Sequence, residues 1–342
     1  MEYLLLIAIA TSFLVTALAM PEWIAKCRLD GLVWEDMNKF NRPKNVASSG
    51  GVVVIMAFIL SVLVYVALKT FLFGGTIHAL EIFSLIGVIL ILGIVGRVDD
   101  LFGWKNGGLS RRFRTFMAFI ASIPLVVISA GTHSISLPFI GVTNLGILYP
   151  LILIPVGIAG ASTTYNFLAG YNGLEAGQGI LILSFLSFVS YITGSAWLAV
   201  VGLCMVASLL VFYYYNKVPA KVFPGDMMTY SIGALIAGMA ILGNFEKVAI
   251  IIFIPYILEV ILKVRGGLIK QSFGTPQKNG SLHMPYDKIY GLEHLAIYIL
   301  NGFSAKPRGN SIGATEKKVT YLIHAFQIIF ILIAFFLLGE VF

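Results

Sequence analysis

Charge is scarce in this chain. Only 11% of its 342 residues are Asp, Glu, Lys or Arg, while 58% are apolar; soluble globular chains run to about 25% charged. An ordinary soluble domain is thereby excluded and a polytopic membrane protein indicated. Cysteine is nearly absent as well. Cys27 lies in a basic stretch and Cys204 inside an apolar run, which excludes a disulfide framework and gives no support to a thiolate metal site. There is no P-loop, no zinc-binding helix motif and no G-x-G-x-x-G following a strand, so the common soluble nucleotide and metalloprotease chemistries have no carrier here. Nor are there two separated Asp-rich motifs of the kind an intramembrane prenyltransferase shows. The net charge of +7 reads in such a chain as loop asymmetry or attraction to anionic lipid, not as nucleic-acid binding.

What the chain does have is apolar runs long enough to cross about 30 Å of hydrocarbon. They fall near 3–21, 51–73, 80–97, 113–131, 145–164, 179–194, 196–215, 227–244, 247–264 and 319–338. The first lacks a basic leader and a small-residue cleavage site, so it reads as a helix and not a removed signal. The expected fold is therefore an all-α polytopic membrane protein of about ten transmembrane helices. We read 1–342 as one membrane domain, with 265–318 inserted as a cytoplasmic loop. Numbering the loops alternately puts every lysine and arginine except Lys69 and Lys247 on one side. The positive-inside rule makes that side cytoplasmic and both termini external.

The polar chemistry collects on the same side. Asn166-Phe-Leu-Ala-Gly170-Tyr-Asn172-Gly-Leu-Glu175-Ala-Gly-Gln178 interrupts apolar sequence with amides, a carboxylate and close glycines. Such groups at a hydrocarbon boundary are costly unless they face protein or a wet site; a plain polar loop is the alternative. Asp99-Asp100 ends the third helix and offers oxygen to a hard cation such as Mg²⁺, which shares ligands with phosphate. A solvated helix end is the plainer reading. Asp226, after Phe223-Pro224-Gly225, is either a second oxygen ligand or an N-cap with Thr229 three residues on. Arg114 enters the fourth helix just after the Asp pair, where it could meet phosphate; Lys39 and Arg42 are either phosphate contacts or interfacial anchors. In the 265–318 loop, Asn279-Gly280 reads as a hairpin turn. Leu292, Leu295, Ala296 and Ile299 follow at helical spacing, as in an amphipathic surface helix. The loop thus reads as a folded lid, with His283 and His294 structural and Glu259 pairing with Lys263 four residues on.

Together these residues resemble the polyprenyl-phosphate N-acetylhexosamine-1-phosphate transferase family. Asp99-Asp100 is similar to its Asp-Asp motif, Asn166-x5-Asn172-Gly-Leu-Glu-Ala-Gly-Gln178 to its asparagine motif, and Val222-Phe-x-Gly-Asp226 to the segment carrying its aspartate ligand. The Gly-Leu-Glu-Ala-Gly-Gln form, Asp36-x-Asn38-Lys39 and Leu282-x-Met284-x-Tyr286 are closest to the eukaryotic and archaeal branch. The resemblance implies a Mg²⁺-dependent enzyme, with Mn²⁺ as a substitute. It would move GlcNAc-1-phosphate from UDP-GlcNAc to dolichyl phosphate, the first step of lipid-linked oligosaccharide synthesis for N-glycosylation. An undecaprenyl-type acceptor for envelope polymers is the alternative, and a membrane transporter the rival from another class. The resemblance further implies Asn166 and Asp226 on the metal. Asp99, Asp100 and Arg114 become catalytic residues, and Lys39, Asn172, Glu175, Phe223, Arg265 and Lys270 contact substrate, with Asn172 and Phe223 at the uracil. Arg114 stands where the family has a lysine. The Pro-Arg-His-Arg or histidine cluster of the last cytoplasmic loop is missing, with Arg265, Lys270 and Gln271 in its place. Membrane lipid and a second copy of the chain are the other partners expected.

Overall fold

In the computed structural model, residues 6–75, 78–137, 141–307 and 313–341 are described; Arg308, one of the basic residues used for orientation, lies outside them. Among the described residues, seven helices are long and apolar enough to cross a membrane. They are α1 (Leu6–Leu29), α2 (Gly51–Phe73), α3 (Ala79–Asn106), α7 (Leu174–Ile192), α8 (Ala196–Asn216), α9 (Gly225–Gly243) and α13 (Glu316–Phe336).

Three further apolar runs are each split into two shorter pieces. The run at 113–131 becomes α4 (Arg111–Ala121) and α5 (Ile123–Val127), and that at 145–164 becomes a π-helical turn (Tyr149–Leu153) leading into α6 (Ile154–Tyr165). The run at 247–264 becomes α10 (Glu246–Ile252) and α11 (Ile254–Arg265). Proline explains each interruption. Pro124, Pro150 and Pro155 sit in the first turns of the pieces they begin or precede, and Pro255 does the same for α11. A proline ring lacks the amide hydrogen an unbroken helix would need there. The turn between the sixth and seventh runs is real, with Gly194 at a φ of +84°.

α9 is the central element. Its buried residues run almost without interruption from Met227 to Ile241, the pattern of a helix surrounded by others. Close approach depends on glycine. A Cβ on Gly96 of α3 would come within 2.5 Å of the Asp226 carbonyl, and one on Gly233 within 2.6 Å of the Ala161 carbonyl oxygen on α6. Gly96→Ala is therefore expected to destabilise the protein by about 1–3 kcal/mol through overpacking. It should also displace Asp99 and Asp100 from Asp226. Thermal unfolding in detergent, compared with a Gly103→Ala control whose added Cβ meets nothing, checks this.

Short antiparallel pairs serve as connectors: β1 (Val33–Trp34) with β2 (Val46–Ala47), β3 (Ser134–Leu137) with β4 (Gly141–Asn144), and β5 (Thr275–Pro276) with β6 (Leu282–His283). The backbone after β2 also pairs with the segment before α9. Phe223 donates to Ala47, and Gly50 and Gly51 donate to the Phe223 and Pro224 carbonyls at 2.8 and 2.9 Å. This ties the start of α2 to the start of α9.

The last connecting segment turns at Gly280, whose amide donates to the Gln277 carbonyl and whose φ is +79°. α12 (Leu292–Leu300) follows and buries Leu292, Glu293, His294, Ala296 and Ile297 against protein. Glu259 pairs with Lys263 at 3.3 Å and accepts the Leu292 amide, fastening α12 to α11. Burial, and then the Lys263 ammonium, hold His294 down at about 4. Because the folded value lies below the ordinary 6.5, the unfolded chain binds the proton first. His294 therefore costs nothing above about pH 6.5 and destabilises increasingly as pH falls toward 4. His294→Phe should flatten the fall in melting temperature across that window; an unchanged slope would contradict it.

Candidate active site

The ends of five elements meet around one cavity: the entry to α2, the C-terminal end of α3, the loop before α7, the end of α8 and the beginning of α9. Its volume is about 360 Å³. Eight of the residues expected from the sequence line it: Asp99, Asp100, Arg114, Asn166, Asn172, Glu175, Phe223 and Asp226.

One group of lining residues is ionic. Arg114 Nη1 donates to Asp99 Oδ2 at 2.7 Å and to Asp226 Oδ2 at 3.3 Å, so two carboxylates from different helices converge on one guanidinium nitrogen. The Leu109 amide donates to the other oxygen of Asp99. Asp100 turns away from Arg114. Its Oδ1 accepts the Asp226 amide and its Oδ2 the Ser49 hydroxyl, both at 2.8 Å. The adjacent carboxylates thus do different work, since neighbours on a helix point about 100° apart: Asp99 faces the cavity cation while Asp100 pins the start of α9 to the entry of α2. Asp226 does not act as an N-cap. Its backbone amide goes to Asp100 and its carboxylate to Arg114, whereas Thr229 donates to Asn166 Oδ1 at 3.0 Å. Asp100→Asn can keep an acceptor toward the Asp226 amide while its new amide donates to the Ser49 hydroxyl. It is expected to lose about tenfold less activity than Asp99→Asn, measured as kcat/KM.

The other group is aromatic and amide-bearing. Asn172, Trp34, Phe223 and Phe273 line the cavity here. The loop from Asn166 to Gln178 turns through Gly170 at a φ of +105° and Gly173 at +84°, conformations that glycine adopts without a Cβ penalty. A Cβ at Gly170 would lie 2.8 Å from the Phe273 ring. Glu175 braces this loop from within, accepting the Gly170 amide at 2.8 Å, and the Tyr165 hydroxyl donates to its backbone carbonyl. Asn216, at the end of α8, accepts the Gly173 amide and donates to the Val222 carbonyl, joining this loop to the segment before α9. Nothing in the local sequence marks Asn216, Ser49, Trp34 or Phe273, because each is brought in from a remote element.

Three of the basic residues expected to contact substrate stand elsewhere. Lys39 is engaged by Glu316 and lies 3.8 Å from Asp36. Lys270 is exposed, its ammonium 4.7 Å from the centre of the Tyr286 ring, and Arg265 is exposed at the end of α11. None of the three lines the cavity. Arg114 is the one cationic side chain that does, among the described residues.

The residues present suit Mg²⁺. Asp99 and Asp226 offer carboxylate oxygens and Asn166 its amide oxygen, the donor type a hard cation prefers. Among the described residues no three His, Cys, Asp or Glu side chains form a ready cage. Mg²⁺ is ordinarily bound by one or two carboxylates with substrate phosphate completing its shell, so the sparse set fits.

Comparison with known proteins matches this arrangement to a family. The sequence profile of glycosyl transferase family 4 matches residues 82–244, which include Asp99, Arg114, the Asn166–Gln178 loop and Asp226. A Saccharolobus solfataricus protein is 34% identical over 295 residues, 86% of this chain and 88% of its own. The chain belongs to glycosyl transferase family 4. That relative is provisionally named a UDP-N-acetylglucosamine–dolichyl-phosphate N-acetylglucosaminephosphotransferase. A Dictyostelium discoideum protein with the same activity in its name is 30% identical over 269 residues, covering 67% of this chain and 64% of that one. A Streptococcus thermophilus phospho-N-acetylmuramoyl-pentapeptide-transferase is 28% identical over 264 residues, 74% of this chain and 76% of its own. Membership of family 4 makes this chain a glycosyl transferase, and its cavity adds residues from both sides of the matched region, Trp34, Asp36 and Ser49 before it and Phe273 after it.

Proposed function

We propose that this protein transfers GlcNAc-1-phosphate from UDP-GlcNAc to a dolichyl-type phosphate, releasing UMP. The observation that carries the reading is Arg114 held between Asp99 and Asp226 in a cavity that is also lined by Asn172 and by Trp34, Phe223 and Phe273. A cation flanked by oxygen ligands suits a pyrophosphate, and flat rings beside an amide suit a base. The names of the archaeal and Dictyostelium relatives support the choice of sugar nucleotide and lipid.

In the reaction, a nonbridging oxygen of the lipid phosphate attacks the β-phosphorus of UDP-GlcNAc, forming the new pyrophosphate. The bond from that phosphorus to the bridging oxygen breaks, and UMP leaves with the electron pair. Arg114 offsets charge on the phosphates as the bond breaks, through a charge-assisted contact whose donor is already held in place. Asp99 and Asp226 hold the guanidinium in place. Bound Mg²⁺, held by Asp226 and Asn166, would neutralise pyrophosphate charge. Asp99 is committed to Arg114 and to the Leu109 amide, which suits orientation more than proton removal; a phosphate dianion near neutral pH needs no base. The lipid reaches the site laterally and the nucleotide from the cytoplasm, so the reactants meet at the interface with their entropy of encounter reduced. In this reading α4–α5, the π-turn with α6, and α10–α11 complete a ten-segment bundle, with the site cytoplasmic and both termini external.

The test is UMP release by the purified protein from a panel of UDP-sugars, with a short polyprenyl phosphate and Mg²⁺. Release with UDP-GlcNAc, abolished by chelation, is expected. Release with no sugar, or solute transport into vesicles without UMP release, would overturn the reading.

A further inference from the structure

Asn172 is held by a ring of charged groups drawn from outside the matched family region. Glu316, the first residue of α13, is 4% exposed. Its Oε1 accepts the Asn172 backbone amide at 2.9 Å and its Oε2 the Lys39 ammonium. Lys39 lies near Asp36 Oδ2, and that oxygen also accepts from Asn172 Nδ2 at 2.9 Å. Asp36 Oδ1 accepts the Asn38 amide at 3.3 Å, and the Asn38 side chain donates to the Gly170 carbonyl at 2.9 Å. The ring therefore closes from Asp36 through Lys39 and Glu316 to Asn172 and back. It grips the 170–172 backbone at two points and the Asn172 side chain at a third.

The consequence for Asn172 is a fixed amide orientation. An ionised carboxylate accepts and never donates, so Asp36 must face the Nδ2 end. The carbonyl Oδ1 is left with no protein partner among the described residues and is not a sealed polar atom, while Asn172 lines the cavity beside the aromatic rings. We propose that Asp36 and Glu316 are positioning residues that present Asn172 Oδ1 to the nucleotide base as a fixed hydrogen-bond acceptor, selecting a base that carries a ring N–H. Lys39 is the countercharge that lets two carboxylates sit in this ring, not a phosphate ligand. The proposal rests on the transferase reading, which supplies a nucleotide to the cavity.

Both carboxylates use both oxygens as acceptors, so an isosteric amide at either position can satisfy only one donor and must set N–H against N–H at the other. The test uses the full-length protein, UDP-GlcNAc, a short polyprenyl phosphate, and UMP, CMP and N3-methyl-UMP as competing ligands. In the wild type, UMP should inhibit at least about tenfold better than CMP or N3-methyl-UMP, since a mispaired buried acceptor is worth about that much. Asp36→Asn and Glu316→Gln should each raise the UDP-GlcNAc KM about tenfold and narrow the UMP:CMP ratio to about threefold. Both should keep kcat at saturating donor and the KM for the lipid phosphate within about threefold of wild type, which a general loss of fold would not. Equal inhibition of the wild type by UMP and N3-methyl-UMP, or an unchanged UMP:CMP ratio in both variants, overturns the proposal while leaving the transferase reading intact. Should neither variant accumulate, the three-ligand comparison in the wild type decides it. Absence of UMP release from any UDP-sugar sinks the transferase reading itself.

Discussion

Replacing Arg114 with methionine is expected to lower kcat/KM by at least about 10²–10³-fold, the cost of removing one preorganised charge contact to a developing phosphate charge. Its role in the unliganded protein adds a second effect. Asp99 and Asp226 share its Nη1, and without it two neighbouring carboxylates repel each other across the cavity. Removing one partner of a buried pair costs about 3–5 kcal/mol. The lower end applies here, since Arg114 and Asp226 each keep 25% of side-chain exposure. The variant should therefore melt earlier as well as turn over slowly. Arg114→Lys separates the two effects. It restores the charge but can present only a point donor to groups that a guanidinium meets with a planar fork, so stability should return further than kcat. Activity in Arg114→Met within about tenfold of wild type would remove this residue from the mechanism.

Asp226→Asn is expected to be at least as damaging, with a loss of about 10³-fold, or about 4 kcal/mol of transition-state stabilisation. The substitution keeps the shape of the side chain and its backbone amide's bond to Asp100. It removes the charge that pairs with Arg114 and that would hold a divalent cation. Two readings of Asp226 differ in one measurement. If the carboxylate serves the metal, the Mg²⁺ concentration for half-maximal rate should rise in the variant, whereas an Asp226 that only positions Arg114 would leave it unchanged. Unaltered Mg²⁺ dependence at near-normal rate would exclude Asp226 as a ligand.

The legible and illegible parts of the site divide by distance along the chain. Asp99-Asp100, Asn166–Gln178 and Asp226 stand out in the sequence as short polar interruptions of apolar runs, which membrane solvation makes costly, while the roles expected of them, and Phe223, come from the family resemblance. Lys39, Arg265 and Lys270 show the limit of the same logic. A basic residue near a phosphate site is attractive on charge alone, yet Lys39 is committed to Asp36 and Glu316, Lys270 to aromatic faces, and Arg265 to solvent. Their actual partners lie in other segments. The split helices belong to the same lesson: hydropathy counts apolar length, while a single proline decides whether that length is one helix or two.

The sequence by itself determined that this chain carries repeated membrane-length apolar runs, and that short polar segments interrupt them at Asp99-Asp100, Asn166–Gln178 and Asp226. Those are consequences of solvation and spacing, both local properties. The tertiary structure decided the division of labour between Asp99 and Asp100, the meeting of Asp226 with Arg114, and the recruitment of Asp36, Asn216 and Glu316 around the loop that carries Asn172. Side-chain direction on a helix and the close approach allowed at Gly96 set those pairings, and they are fixed only when α3 packs on α9 and α13 packs on α7.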